Sequence, residues 1–154
     1  QLLENKEFEH FDFILFDLPP SLGILTINAL TAADQLIIPM NPALYSMHGT
    51  NDLMNTISKV MKELNPDLSL LGVIINEYDP IPVITRQIKS EIEEAFSQSV
   101  FKTVIPKSIK VEEAIAMRVG LVELNRPGIS KIRNEIVSFG KEIMERLGVE
   151  PRIL

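Results

Sequence analysis

The chain has 154 residues, 45% hydrophobic and 23% charged, with a formal net charge of −6 and no cysteine. That length suffices for one domain with its own core, and the missing cysteines exclude disulfides, iron–sulfur ligation, thiolate metal sites and cysteine nucleophiles. The acidic balance argues against a protein that coats nucleic acid with its whole surface. Residues 1–100, however, hold 5 Lys/Arg against 14 Asp/Glu and residues 101–154 hold 10 against 7, so an anionic partner is expected to meet the C-terminal third. No apolar run approaches the ~18 residues of a membrane span, and Gln1-Leu-Leu-Glu4-Asn-Lys-Glu7 does not read as a signal peptide. A cytoplasmic protein is the default expectation.

Residues 1–10 read as the tail of a helix or a linker, kept solvated by Glu4, Glu7 and Glu9. Phe13-Ile-Leu-Phe16 is a continuous apolar run, the pattern of a strand buried on both faces of a parallel sheet. Asp17 stands at its carboxyl end, where open α/β sheets bind ligands. Pro19 and Pro20 then stiffen the turn and remove two donors, and Gly23 permits close backbone approach. Leu22–Ala33 is expected as a short helix, apolar nearly all round and therefore buried. Gln35–Met40 is a second strand ended by Pro39, and Asn41–Tyr45 a loop.

A helix follows from about Ser46 or Thr50 to Leu64, with Leu53, Ile57, Val60, Met61 and Leu64 on one stripe, and Asn65-Pro66-Asp67 stops it. Leu68–Asn76 is a third strand, with Gly72 thinning one face and Asn76 at its carboxyl end. After the Asp79–Pro82 loop, Val83–Ser97 is a helix with Ile84, Ile88, Ile92 and Phe96 on its apolar side. Phe101–Ile105 is a short fourth strand ended by Pro106. A basic loop, Lys107–Lys110, leads to a helix at Val111–Met117, an irregular stretch at 118–128, and a last amphipathic helix at about Ile129–Leu147. Alternating strands and helices predict an α/β fold, a parallel sheet with helices on both faces. Asp17, Asn76 and Pro106 are expected to converge at one edge of that sheet.

A lone carboxylate before a rigid turn and a glycine suits Mg²⁺ and phosphate, because Mg²⁺ keeps most of its waters and takes only one or two protein carboxylates. A glycine amide at Gly23 is suited to sensing a terminal phosphate. The bland alternative for Asp17 is a cap or turn aspartate. Asn76 donates and accepts, which fits a purine edge, or it closes a turn. Ser21 reads as a turn hydroxyl, not a nucleophile, and His10 and His48, without a neighbouring ligand residue, as surface histidines. No Gly-x-x-x-x-Gly-Lys-Ser/Thr and no Gly-x-Gly-x-x-Gly occurs, so these residues alone lack a phosphate cradle.

Phe11-Asp-Phe-Ile-Leu-Phe-Asp17-Leu-Pro-Pro-Ser-Leu-Gly23, continuing to Asp34, resembles the Walker B and switch II region of the ParA-type DNA partition ATPases, the deviant Walker A group that includes MinD. The likeness continues through Leu36-Ile-Ile-Pro39, Asn55-Thr-Ile57, Lys102-Thr-Val-Ile-Pro106 and Glu113-Ala114. It implies a P-loop NTPase-like sheet of which this chain is the C-terminal part, with about four strands, in a single domain over 1–154. It implies an ATPase that uses ATP and Mg²⁺ and dimerises around nucleotide, and that is cytoplasmic and nucleoid-associated when ATP-bound. By this resemblance Asp17 is the catalytic, Mg²⁺-supporting carboxylate, with the ion held through water, and Pro19, Pro20 and Gly23 lie beside the γ-phosphate. Asn76 and Pro106 lie by the adenine, and Lys107 and Lys110 at the non-specific DNA contact. A ParB-type centromere-binding protein is the implied partner, and no membrane is. The family's phosphate loop lies upstream of these motifs, so the 154 residues by themselves are expected to be inactive. A MinD-like positioning ATPase is the runner-up, disfavoured because the chain after Leu147 is short and broken by Pro151. A non-catalytic interaction module on the same fold is the third reading.

Overall fold

The computed structural model describes residues 10–19, 21–42 and 44–150, the side chains of 44–50 excepted. Three strands, β1 (Gln35–Met40), β2 (Ser69–Tyr78) and β3 (Val100–Pro106), form a parallel sheet in the order β1-β2-β3. Five α-helices accompany them: α1 (Ile24–Ala32), α2 (Leu44–Glu63), α3 (Val83–Phe96), α4 (Ile109–Met117) and α5 (Ser130–Leu147). The expected α/β alternation and the helix boundaries hold to within a few residues.

The strand residues alternate between two cores, as the pleat requires. On one face Ile38, Met40, Val73 and Ile75 pack with Leu30 of α1, Ile57 and Val60 of α2, and Ile88 and Ile92 of α3. On the other, Ile74, Phe101 and Ile105 pack with Ala114 of α4, Leu124, and Ile129 and Ile132 at the start of α5. Helices therefore cover both faces, a three-layer arrangement that explains why the strands read as continuous apolar runs. The α1 C-terminus is tied to the end of α2 by Asn65, whose amide donates to the carbonyls of Leu30 and Ala33 at 3.0 and 2.7 Å.

Two expectations are corrected. Phe13–Phe16 forms no strand, so the sheet has three strands among the described residues and not four. All four side chains are exposed, Leu15 at 91%. An apolar strand buried on both faces needs a neighbour to take up its backbone hydrogen bonds and layers on either side, and β1, β2 and β3 pair only among themselves. The helix after the turn is also not buried all round. Thr26 and Leu30 are inside, but Ile24 and Leu25 are 69% and 64% exposed.

The end of α5 is tied to the sheet by Arg146. Arg146 Nη1 donates to the carbonyls of Leu71 and Ser99, both at 2.9 Å, and Nη2 to Val100 at 2.8 Å. Its guanidinium lies 3.9 Å from the centroid of the Phe101 ring. The space for this comes from Gly72, where a Cβ would stand 2.5 Å from both Arg146 Nη1 and the Phe101 ring. The thin face expected at Gly72 is thus the seat of Arg146.

One turn earlier, Glu142 accepts the backbone N–H groups of Lys102 and Thr103 at 2.8 and 3.0 Å. Burial alone would raise the Glu142 carboxyl. The two N–H groups, the Thr103 hydroxyl and Arg146 outweigh it and hold the group below its ordinary value of 4.5. A carboxyl depressed in the folded state contributes stability that is complete above its unfolded value and lost as pH falls through the folded one. In urea titrations, wild type should exceed Glu142→Gln by about 1–2 kcal/mol at pH 7, the scale of charged hydrogen bonds. The gap should close only as pH drops below 4.5, and a gap constant down to acid would contradict this assignment.

Candidate functional site

The carboxyl ends of the three strands form one edge; of the three residues expected there, Pro106 ends β3 and Asn76 lies near the end of β2, whereas Asp17 is on no strand. Tyr78 at the end of β2 pairs with Pro106 at the end of β3, and the Lys107 N–H donates to the Tyr78 carbonyl at 3.0 Å. Asn76, half-buried, lies between this pair and the Ile75–Val104 pair, where the register shifts. The strand runs two residues past Asn76, to Tyr78.

Two further residues complete the edge. Asn41, directly after β1, donates through Nδ2 to Glu77 Oε2 at 2.7 Å and so bridges the exits of β1 and β2. Glu77 has φ 53°, the left-handed region that side chains adopt at a cost. Sequence reasoning placed Asn41 in a loop and passed over Glu77. A polar residue after a proline-broken strand was the one available signal for Asn41, whereas a glutamate carries no mark of a left-handed backbone.

The loop after β2 is held by its own side chains. Asp79 Oδ1 accepts the Ile81 N–H at 3.0 Å, Thr85 Oγ1 donates to the Pro82 carbonyl at 2.8 Å, and Arg86 Nη1 donates to Pro80 at 2.6 Å. Asp79 is therefore a turn residue in the sense expected of aspartates.

Asp17 is exposed and lies in a segment without regular secondary structure. It makes no hydrogen bond or ion pair among the described residues, so nothing there supports the cap or turn reading. Pro20 lies outside the described residues. Around it the Ser21 N–H donates to the Pro19 carbonyl at 2.7 Å, and the buried Thr26 hydroxyl donates back to the Ser21 carbonyl. Gly23 opens α1 with φ −83°, and its carbonyl accepts the Ile27 N–H at 3.1 Å. Any residue can adopt that φ, and a Cβ at Gly23 would meet only Ser21 Oγ at 3.8 Å, an ordinary contact. The fold itself does not require a glycine here.

The two lysines differ. Lys107 is exposed and forms no ion pair among the described residues, whereas Lys110 Nζ is held between the Glu113 oxygens at 2.8 and 2.9 Å. Ser108 caps α4 by accepting the Lys110 N–H at 3.3 Å. His10 stacks on Phe11 with ring centroids 4.0 Å apart, and the His48 side chain is outside the described residues. Among the described residues no group of three or more His, Cys, Asp or Glu could cage a metal, and no helix is long and apolar enough to cross a membrane.

Comparison with known proteins agrees with the motifs. Residues 2–70 match a family described as AAA domain. The chain is 42% identical over 106 residues to the sporulation initiation inhibitor protein Soj of Bacillus subtilis, covering 69% of this chain and 42% of Soj. It is 33% identical over 155 residues to the chromosome partitioning protein ParA of Myxococcus xanthus, covering 93% and 53%. Among solved structures, cobyrinic acid a,c-diamide synthase from Mycobacterium smegmatis with bound ADP and magnesium is similar at TM-score 0.54 and 37% identity, over 66% of this chain and 41% of that one. An ATP complex of McdA from Cyanothece shares the fold at TM-score 0.64 and 19% identity, over 81% and 47%. The chain spans about half the length of the curated relatives it matches. With a P-loop NTPase-like parallel sheet and these relatives, the chain belongs to the ParA-type ATPases, of which it is a part.

Proposed function

We propose that the chain is the C-terminal part of a ParA-like ATPase that hydrolyses ATP with Mg²⁺ to drive DNA partitioning. The observation that carries this reading is the segment from Asp17 to Gly23. It is an exposed carboxylate without a hydrogen bond or ion pair among the described residues, then two prolines in the sequence, then a helix opened by a glycine that the fold does not need. A single such carboxylate fits a Mg²⁺ ion held mainly by water and phosphate oxygens, and does not fit an all-protein cage. Mg²⁺ would supply charge neutralisation at the phosphates, with Asp17 holding one of its waters. Pro19, Pro20 and Gly23 would border the terminal phosphate, the amide at the N-terminus of α1 facing the anion. Asn76 near the end of β2 and Pro106 at the end of β3 would line the base.

Since backbone amides and a lysine of a phosphate loop supply most of the charge stabilisation in this chemistry, and the 154 residues contain no such loop, the purified chain should show no Mg²⁺-dependent ATP turnover above background. The longer parent protein should turn ATP over. Appreciable turnover by the 154-residue chain, or none by a parent carrying a Gly-Gly-x-Gly-Lys-Ser/Thr loop, would overturn the reading. A parent without that loop would favour the non-catalytic module. The reading further entails a nucleotide-bound homodimer, a ParB-type partner and residence on the nucleoid in the ATP-bound state.

For DNA, the two lysines are expected to contribute unequally. Lys107 is free to meet a phosphate, while Lys110 must first leave Glu113. In the full-length protein Lys107→Ala should weaken non-specific DNA binding and lower the slope of log affinity against log salt by about 1. Lys110→Ala should change both less. Fluorescence anisotropy across a salt series measures this, and equal effects would contradict the distinction.

A further inference from the structure

Ile74 alone stands between the two β2 residues that pair with Val100 and Val104, so residues 101–103 of β3 bulge away from the ladder. A bulge leaves backbone groups without a partner on the neighbouring strand. Here two successive N–H groups, those of Lys102 and Thr103, donate to α5 instead of to β2, taken one each by the two oxygens of Glu142. Among the described residues no strand lies on this outer side of β3. An open edge of this kind is a template for pairing with another strand. The segment Val100-Phe-Lys-Thr-Val-Ile105 is rich in β-formers and carries one charge, the composition of a self-pairing strand.

The cover over that edge does not belong to the strand. Glu142 sits on α5 with its side chain only 12% exposed, and its hold depends on how firmly the end of α5 is docked. Arg146, one turn further along, provides the docking through the carbonyls of Leu71, Ser99 and Val100, and it also donates to Glu142 Oε1 at 3.2 Å. We propose that Glu142 and Arg146 form a latch that closes the outer edge of β3 against pairing with the same edge of a second copy of the chain. The Glu142 carboxylate stands in for the carbonyl oxygens that the second copy would offer. The occupant follows from the edge itself, because two identical β3 edges related by a two-fold axis satisfy each other. Releasing the end of α5 would expose donors and a β-prone strand together.

The test uses the purified chain with Glu142→Ala and Arg146→Met, compared with wild type by amide hydrogen exchange and by sedimentation velocity over a concentration series. Far-UV circular dichroism verifies that each variant is folded. The Lys102 and Thr103 amides should exchange about tenfold faster in both variants, the effect of losing roughly one charged hydrogen bond. Association should rise with concentration beyond that of wild type. If Glu142→Ala does not fold, Glu142→Gln replaces it and should move both readouts in the same direction by less. Amides as protected as in wild type would overturn the latch. Amides that open without any added association would overturn the self-pairing edge.

Discussion

Replacing Asp17 by Ala in the longer parent protein should lower Mg²⁺-dependent ATP turnover by about 10²–10³-fold, the scale seen when one electrostatic contributor to a transition state is removed, and leave stability almost unchanged. The second half comes directly from the structure. Asp17 is exposed and has no hydrogen bond or ion pair among the described residues, and substitutions at such positions usually stay within about 0.5 kcal/mol. The pairing of outcomes separates the two readings of the residue. A turn or cap aspartate would cost stability and spare activity, whereas a Mg²⁺-supporting carboxylate does the reverse. Asp17→Asn sharpens the test, since it keeps shape and hydrogen-bonding capacity but removes the charge that an ion requires, and it should fall nearly as far as Ala. Turnover within about twofold of wild type in both variants, measured at saturating ATP across a Mg²⁺ titration, would remove Asp17 from the metal role.

The sequence was most informative where periodicity and burial coincide. Ile57 and Val60 of α2, and Ile88 and Ile92 of α3, were read as apolar stripes and are the buried faces of those helices. The same stripes overreached at their ends, where Leu64 and Ile84 are exposed. The failure at Phe13–Phe16 has a different origin. Its composition specifies a doubly buried strand, but strand formation is a property of the pair, and among the described residues β1, β2 and β3 pair only with one another. Pro106 was legible as the end of β3 because a rigid residue that ends an apolar run is conspicuous, whereas β2 runs two residues beyond the Asn76 expected to end it. The Asn41–Glu77 bridge was not legible, since it joins two strand exits through a Glu77 with a left-handed φ that no local composition signals. Arg146 was illegible for a similar reason. An arginine in the last turn of a surface helix reads as a solvated charge that favours the helix dipole, and only the gap left by Gly72 turns it inward over Phe101.

That contact predicts the largest stability effect in the chain. Phe101 is 2% exposed, meets the Phe139 ring edge-on with centroids 5.0 Å apart, and is the surface on which the Arg146 guanidinium rests. Phe101→Ala should cost about 3–5 kcal/mol through lost transfer energy and the cavity left behind. That is a large share of the roughly 5–15 kcal/mol available to a domain. The cost exceeds that of an ordinary core leucine because the cation–π contact disappears with the ring, leaving Arg146 held by its carbonyl partners and Glu142. The same geometry makes Gly72 and Phe101 interdependent. In wild type, Gly72→Ala forces a methyl against the ring and the guanidinium and should cost about 1–3 kcal/mol by overpacking. With Phe101→Ala the ring is gone and the methyl gains room on that side, so part of the cost returns. The double variant should therefore be more stable than the sum of the single losses by about 0.5 kcal/mol or more. Urea unfolding of the four proteins measures the coupling. Strict additivity, or a Phe101→Ala loss below about 1 kcal/mol, would show that the ring does not fill the space Gly72 leaves open.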